Sequence, residues 1–229
     1  MVAMAKKGAQ ERRGVTVLES TDISLINGNV LVEIDPLEYM MLPSGMILGD
    51  AESFLEQHRF YEAAGHSIRH GKVVTLPKEK ELKNSEFKTQ VKVEVGDMVW
   101  WYYDVGNNAE VCKFEDKYYY IMNYRDMIVL KRGDYIETLN GHLLCETERR
   151  YAKSQFESKE YEEVKDTVII THDGDPVEYV HWNDNAEIKT GDKVLTTKAV
   201  YNLEYELHLF FNGKMNRVIK RKDIYAKFL

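Results

Sequence analysis

The chain has 229 residues, of which 44% are hydrophobic and 30% are charged, proportions that are usual for a globular protein. Its formal net charge of −7 argues against a nucleic-acid-binding protein, because such proteins usually carry a basic face. No apolar run approaches the roughly 20 residues of a membrane-spanning helix, and the two cysteines are too few for a disulfide framework. We therefore expect a cytoplasmic protein that binds neither nucleic acid nor membrane.

Residues 1–21 are predicted to form an N-terminal tail. The tail contains Lys6, Lys7, Arg12 and Arg13, but no apolar segment follows these basic residues. A secretion signal requires both features, so the pattern indicates a frayed end of the chain rather than a targeting segment.

The rest of the chain contains an internal repeat. The segment ISLINGNVLVEID (23–35) resembles IETLNGHLLCETE (136–148), and the two lie 113 residues apart. Further on, VEVGDMVW (93–100) resembles IKTGDKVL (188–195), at a separation of 95 residues. The decrease from 113 to 95 means that the first copy carries an insertion of 18 residues, which falls between residues 35 and 71.

The repeat predicts one domain over residues 22–133 and a second over residues 134–229. In both copies, short runs of β-branched and aromatic residues alternate with Asn-Gly and Gly-Asp turns, a pattern typical of β-strands. Their spacing indicates an all-β fold, with a barrel or a sandwich in each domain. The exception is the stretch 50–66 inside the insertion, where apolar residues lie among charged ones and a short helix is expected.

The insertion contains a segment of unusual composition, residues 35–50. Loop-forming residues, including Gly45, flank three large apolar residues, Met46, Ile47 and Leu48. One interpretation is a short anchor that becomes ordered when it docks in an apolar groove of a partner. The alternative is an edge strand or core plug of the chain's own barrel, since apolar triplets are usually buried.

Four motifs in residues 23–130 occur in the order found in the GroES (chaperonin-10) family of co-chaperonins, which this part of the chain resembles. They are SGMIL (44–48), HGKVV (70–74), VEVGDMV (93–99) and RDMIV (125–129). The second copy resembles the same family more faintly. The chain as a whole therefore looks like a tandem, double-domain form of that family.

The resemblance implies two tandem GroES-like β-barrels in a protein that is not an enzyme and has no catalytic residue, cofactor or metal. It implies that residues 35–50 form a mobile loop. In that loop, Gly45, Met46, Ile47 and Leu48 would bind a GroEL-type chaperonin ring in its ATP-bound state. It also implies that the chain forms a homo-oligomeric ring, which we expect to be a heptamer.

Several features depart from the family pattern. Ser44 stands where a glycine is usual, and residues 148–156 of the second copy are charged and lack the apolar triplet. We therefore expect one chaperonin-binding loop per chain. The resemblance also implies a roof hairpin within residues 76–92, a stretch rich in charged residues. Members of the family form rings of seven domains, and because seven is odd, whole chains of two domains cannot fill one such ring. Either each copy forms its own ring layer or the stoichiometry differs. We favour a ring in which the first copies supply seven loops.

Other functions stay open at this stage. A structural or assembly protein, for example of a virus particle, could use the same barrel without a chaperonin, and a buried triplet would favour it. An enzyme of the alcohol dehydrogenase type is disfavoured, because the chain has neither a nucleotide-binding glycine motif nor a Cys/His zinc cluster. His58, His66 and His70 match no closed zinc motif. A doubled, divergent form of that family would fit a large bacteriophage or a plastid-like system, and the N-terminus, which does not look like a processed leader, favours the bacteriophage.

Overall fold

The computed structural model describes residues 15–42, 44–58, 69–83, 86–102, 105, 109–151, 161–174, 177–179, 187–196 and 208–229. Most of these residues are in β-strands, which confirms the all-β class. Two short helices are present, α1 (Pro36–Met40) and α2 (Ala51–His58). Helix α2 confirms the helix expected in the stretch 50–66 as far as residue 58; residues 59–68 lie outside the described residues.

The first sheet has eight strands. In hydrogen-bonded order they are β1 (Thr16–Val17), β7 (Glu110–Phe114), β8 (Lys117–Asn123), β2 (Asn29–Ile34), β3 (His70–Thr75), β6 (Met98–Trp101), β9 (Met127–Arg132) and β10 (Tyr135–Thr138). Strand β1 is parallel to β7, and the other neighbours are antiparallel. Strand β1 therefore places two residues of the predicted tail, Thr16 and Val17, in the sheet; residues 1–14 lie outside the described residues.

The second sheet has six antiparallel strands. In order they are β15 (His208–Phe211), β16 (Lys214–Lys220), β11 (His142–Tyr151), β12 (Tyr161–His172), β14 (Lys193–Thr196) and β17 (Ile224–Lys227). A smaller sheet contains β13 (Glu178–Tyr179), β5 (Phe87–Gln90) and β4 (Glu81–Lys83). The charged hairpin expected within residues 76–92 is thus formed by β4 and β5, and β13 from the second half of the chain pairs with β5.

The two large sheets repeat one strand order. The order β7-β8-β2-β3-β6-β9 in the first sheet has the same sequence of equivalent strands as β15-β16-β11-β12-β14-β17 in the second. Local details repeat as well, because Asn27 and Asn140 both have positive φ, 59° and 56°, in equivalent turns. In each copy, a backbone N–H of the 3₁₀ turn before the last strand donates to the carbonyl of the glycine in the Asn-Gly turn. The two hydrogen bonds, Tyr124 N to Gly28 O and Arg221 N to Gly141 O, are both 2.9 Å long.

An aspartate closes the Gly-Asp turn in each half, and Asp97 is buried while Asp192 is partly exposed. The backbone N–H of Glu94 donates to Asp97 at 2.8 Å, and the backbone N–H of Lys189 donates to Asp192 at 2.7 Å. A basic residue of the last strand then pairs with each aspartate, Arg132 with Asp97 at 2.8 Å and Lys227 with Asp192 at 2.7 Å. We call this arrangement the aspartate latch.

Apolar clusters fill the space on the sheet faces. Alternate residues of β2 point to different clusters, as expected for a strand, since Val30 and Val32 join the main core and Leu31 joins another. The two large sheets are joined by a cluster in which residues of β6 and β9 pack on the second sheet. Its buried members are Ile128, Val129, Leu144, Leu209, Phe211 and Val218, and the partly buried Trp100, Tyr102 and Ile136 pack against them.

Three features were not evident from the sequence. Strand β10, at the start of the second repeat, is an edge strand of the first sheet, so the two halves share a hairpin. In the part of the chain that is described, no pairing joins the outer strands of either large sheet, and closure into barrels stays a prediction. Cys112 and Cys145 are both buried and free.

Candidate partner-binding loop

The segment 35–50 begins with a short helix. Asp35 accepts a hydrogen bond from the backbone N–H of Leu37 at 2.9 Å, and Pro36 occupies the first helical position. Both are favoured at a helix start, because the carboxylate satisfies a free N–H and proline has none to satisfy. Pro36 and Met40 are buried, so α1 is fixed to the domain on one side.

The chain then forms a small hairpin. Met41 and Ile47 form an antiparallel bridge, and the backbone N–H of Leu42 donates to Met46 O at 2.9 Å. The turn is closed by Gly45 N, which donates to Leu42 O at 2.8 Å. Gly45 has φ +81°, a left-handed conformation that costs a glycine little. The segment predicted to be a loop is therefore a short helix followed by a hairpin.

The three apolar residues of the hairpin are exposed. Met46 is 61% exposed, Ile47 51% and Leu48 59%. They lie outside the apolar clusters of their own chain, unlike the buried side chains that the core-plug interpretation requires. Three more exposed apolar residues lie beside them, and together the six form what we call the loop surface: Leu37, Met41, Leu42, Met46, Ile47 and Leu48.

A group of polar and aromatic side chains holds the base of the loop. The Tyr39 hydroxyl lies 2.7 Å from Nδ1 of His70 and accepts from the backbone N–H of Arg69 at 3.0 Å. Glu38 lies 3.3 Å from Nε2 of His70, and the His70 ring stacks on Trp100 with centroids 5.6 Å apart. The Tyr39 hydroxyl can bond both Arg69 N and His70 Nδ1, because a hydroxyl has one donor hydrogen and two acceptor lone pairs.

Within this group the pKa of the Tyr39 hydroxyl is shifted, and burial is the main cause. It raises the pKa of Tyr39 to about 12, so the hydroxyl stays protonated and can act as a donor at neutral pH. The sequence offered His70 only as a weak metal candidate. The hydrogen bond to Tyr39 was missed because the partner lies 31 residues away, across the insertion.

Helix α2 holds the other end of the loop. The Asp50 side chain accepts from the backbone N–H of Ser53 at 2.8 Å, which caps the helix. Leu55 is 1% exposed and belongs to the main core, and Glu52 pairs with Lys113 of β7 at 2.8 Å. The loop surface is therefore presented between two helices that are each fixed to the domain.

No metal site emerges from the described residues. In them, no group of three or more His, Cys, Asp or Glu side chains lies close enough to bind a metal ion. His66 lies outside the described residues, and nothing is described for the side chain of His58. Cys145 is buried, which raises the pKa of its thiol to about 12 and leaves it a poor nucleophile.

In the second repeat, the counterpart of the loop is only partly described. Residues 148–151 continue β11, and residues 152–160 lie outside the described residues. Within the part of the chain that the structure describes, no helix is both long and apolar enough to cross a membrane.

A scan of the chain against models of protein families finds no family that matches. A search of curated proteins finds no match.

Proposed function

We propose that the protein is a co-chaperonin of the GroES type, which caps the ATP-bound state of a GroEL-type chaperonin ring. The observation that carries the proposal is the exposure of Met46, Ile47 and Leu48 on the second arm of a hairpin. An exposed apolar group of this size is costly in water and is typical of a binding site. Gly45 in the turn before them and the resemblance of residues 44–48 to the chaperonin-binding motif support the same partner.

The proposed contact is an apolar anchor. The side chains of Met46, Ile47 and Leu48 enter a groove on the chaperonin, and binding removes their apolar surface from water, worth about 25 cal/mol per Å². One such anchor binds weakly. Several anchors held on one oligomer bind a symmetric partner far more tightly, because each later contact is intramolecular.

The proposed assembly is a homo-oligomeric ring of seven chains, in which each chain supplies one loop and each repeat closes into a GroES-like barrel. The repeated strand order and the repeated aspartate latch support two domains of one kind. The protein performs no chemistry of its own, and ATP hydrolysis belongs to the chaperonin. We place it in the cytoplasm, of the infected host if the source is a bacteriophage.

The test is co-sedimentation of the full chain with a purified GroEL-type ring, with ATP and without nucleotide. We expect wild type to sediment with the ring only when ATP is present. Ile47→Asp should weaken binding by at least about tenfold, or about 1.4 kcal/mol, because a carboxylate would enter an apolar groove.

The matched control is Val95→Asp, at a position that is 65% exposed and lies in a turn far along the chain from the loop. It should bind as wild type does. If folded, oligomeric wild type binds no GroEL-type ring in any nucleotide state, the co-chaperonin proposal is wrong. A structural or assembly protein built on the same fold would then be the better account.

A further inference from the structure

A cavity of about 280 Å³ lies where the smaller sheet meets the junction between the two repeats. It is lined by the hairpin of β4 and β5, by Val177 and Glu178 at the start of β13, by Tyr124 and by residues 138–140. Both repeats therefore contribute to its wall. One water molecule takes up about 30 Å³ in the liquid, so the cavity has room for a small molecule of several non-hydrogen atoms.

Two buried polar side chains line this cavity and have an atom without a hydrogen-bond partner. Thr138 is 2% exposed and Asn140 is 3% exposed. Among the described residues, neither the Thr138 hydroxyl oxygen nor Oδ1 of Asn140 forms a hydrogen bond. Buried polar atoms nearly always have a partner, in the protein, in water or in a ligand. The cavity is the space from which one molecule can reach both atoms.

The other end of the Asn140 side chain defines what that molecule must offer. Nδ2 of Asn140 donates to Tyr124 O at 2.8 Å and to Met127 O at 3.0 Å. Both partners are carbonyl oxygens, which only accept, so the amide nitrogen is fixed on that side. The atom without a partner is therefore an acceptor, and the Thr138 hydroxyl can accept as well. A ligand that pairs with both atoms must supply hydrogen-bond donors.

Hydrogen bonds of Tyr124 hold one wall of the cavity in place. The Tyr124 hydroxyl donates to Gln90 O at 3.0 Å and accepts from the backbone N–H of Lys92 at 3.2 Å. The Tyr124 side chain is fully buried, so these bonds tie the end of β5 to the 3₁₀ turn. The chain itself thus sets the shape of the cavity on this side.

The charges at the cavity favour a cation. Both lysines of the lining already pair with a carboxylate, Lys88 with Glu178 and Lys92 with Glu137, each at 2.6 Å. The lining also contains Glu81, which is exposed and forms no ion pair with a described residue. The carboxylates therefore exceed the ammonium groups by one charge. An anion would meet this excess and would offer no donor to Asn140.

We propose that this cavity binds a small guanidinium compound. Its N–H groups donate to Oδ1 of Asn140 and to the Thr138 hydroxyl, and Glu81 balances its charge. A guanidinium group has several N–H donors in one plane and is more weakly hydrated than an ammonium group, so it loses less on leaving water. The site is separate from the loop surface, and the inference does not rest on chaperonin binding.

The first test is isothermal titration of the full chain with agmatine, which has a guanidinium group on a short chain. Glycerol supplies neutral donors and acetate supplies an anion for comparison. We expect agmatine to bind at one site per chain, with an affinity that falls as sodium chloride is added, because salt screens the charge of Glu81. Glycerol and acetate should not bind in the same concentration range.

The second test is the same titration on three variants. Thr138→Val removes the hydroxyl and keeps a branched side chain, and it should weaken agmatine binding by at least about threefold. Glu81→Gln should weaken it by about two- to fivefold and reduce its dependence on salt. The matched control is Glu115→Gln, at an exposed residue in the turn between β7 and β8, away from the cavity lining. It should bind agmatine as wild type does.

A melting curve of each variant without agmatine shows whether it is folded. If Thr138→Val does not fold, Glu81→Gln decides, because a change at an exposed residue leaves the core intact. The proposal is overturned if agmatine does not bind wild type, or if glycerol or acetate binds as tightly as agmatine. It is also overturned if either cavity variant, when folded, keeps the wild-type affinity.

Discussion

Tyr39 and His70 form a hydrogen bond of 2.7 Å that ties helix α1 to strand β3. The two residues lie 31 positions apart, near the two ends of the stretch 35–71 that contains the insertion, so their contact fixes the point from which the loop surface projects. Tyr39 also accepts from the backbone N–H of Arg69. The Tyr39 hydroxyl thus bonds both the His70 side chain and the backbone N–H of Arg69, which lies just before β3. Its removal should loosen the loop without changing the apolar side chains of Met46, Ile47 and Leu48.

We expect Tyr39→Phe to destabilise the base of the loop by about 1–2 kcal/mol, because the N–H of Arg69 and Nδ1 of His70 would both lose a partner. Hydrogen exchange of residues 35–50 should accelerate, while exchange in β9 stays as in wild type. Unchanged exchange of the loop would show that the hydrogen bond has no role in holding it.

Leu55 and Leu48 provide a matched pair for the roles of core and loop surface. Leu55→Ala should lower the free energy of unfolding by about 2–5 kcal/mol, since it removes buried methyl groups from the main core. Leu48→Ala, at a residue that is 59% exposed, should change stability by less than about 0.5 kcal/mol and weaken chaperonin binding instead.

Denaturant unfolding measures the first effect, and co-sedimentation measures the second. Equal losses of stability in the two variants would mean that Leu48 contributes to folding, contrary to its exposure.

The aspartate latch should contribute unequally in the two repeats. The Asp97 side chain is 3% exposed and that of Asp192 is 17% exposed, so water screens the hydrogen bonds and ion pair of Asp97 less than those of Asp192. We expect Asp97→Ala to cost about 1–3 kcal/mol in urea unfolding and Asp192→Ala to cost less. If Asp192→Ala lowered the free energy of unfolding more than Asp97→Ala does, the larger contribution expected from Asp97 would be wrong.

The pH dependence of the Asp97 latch has a definite sign. Burial acts to raise the pKa of Asp97, but the hydrogen bonds from Arg132 and the backbone N–H of Glu94 outweigh it and hold the pKa below 3.8. A carboxylate with a lowered pKa contributes stability above its unfolded pKa and loses it as the pH falls through the folded value. The difference in free energy of unfolding between wild type and Asp97→Ala should therefore shrink below about pH 4.

His142 gives a separate acid sensitivity. Burial lowers its pKa from 6.5 to about 4, and its Nδ1 donates to Leu139 O at 2.8 Å. The unfolded chain therefore binds a proton more readily than the folded chain between these two values, and stability falls as the pH drops from about 6.5 to about 4. The free energy of unfolding should fall by about 1 kcal/mol per pH unit over this range.

The check compares wild type with His142→Gln, which retains a side-chain donor without titrating in this range. The pH dependence between about 4 and 6.5 should be flatter in the variant. Parallel curves would mean that His142 does not stay neutral in the folded protein.

The internal repeat carried most of what could be predicted from the sequence. Asn-Gly turns need positive φ, which few residues adopt easily, so the pairs at Asn27 and Asn140 marked equivalent turns and the strands around them. The short helix in the insertion was visible because its apolar residues lie among charged ones. The apolar triplet could be picked out because glycine and proline flank it, but its exposure could not, since apolar triplets are usually buried.

Pairings between distant segments were not predictable in the same way. The addition of β10 to the first sheet, and of β13 to the hairpin of β4 and β5, depends on strand edges that local patterns do not describe. Helix α1 was missed because five residues are too few for a periodic pattern. Closure into barrels and the partner of the loop surface stay predictions.

The aspartate latch has a consequence for the history of the chain. Both repeats use an aspartate to accept the same backbone N–H and to pair with a basic residue of the last strand, although the sequences around it have diverged. Shared detail of this kind is what duplication of a single-domain ancestor leaves behind. The loop surface then distinguishes the two copies: the first carries an exposed apolar hairpin, whereas residues 148–156 of the second are charged and lack the apolar triplet.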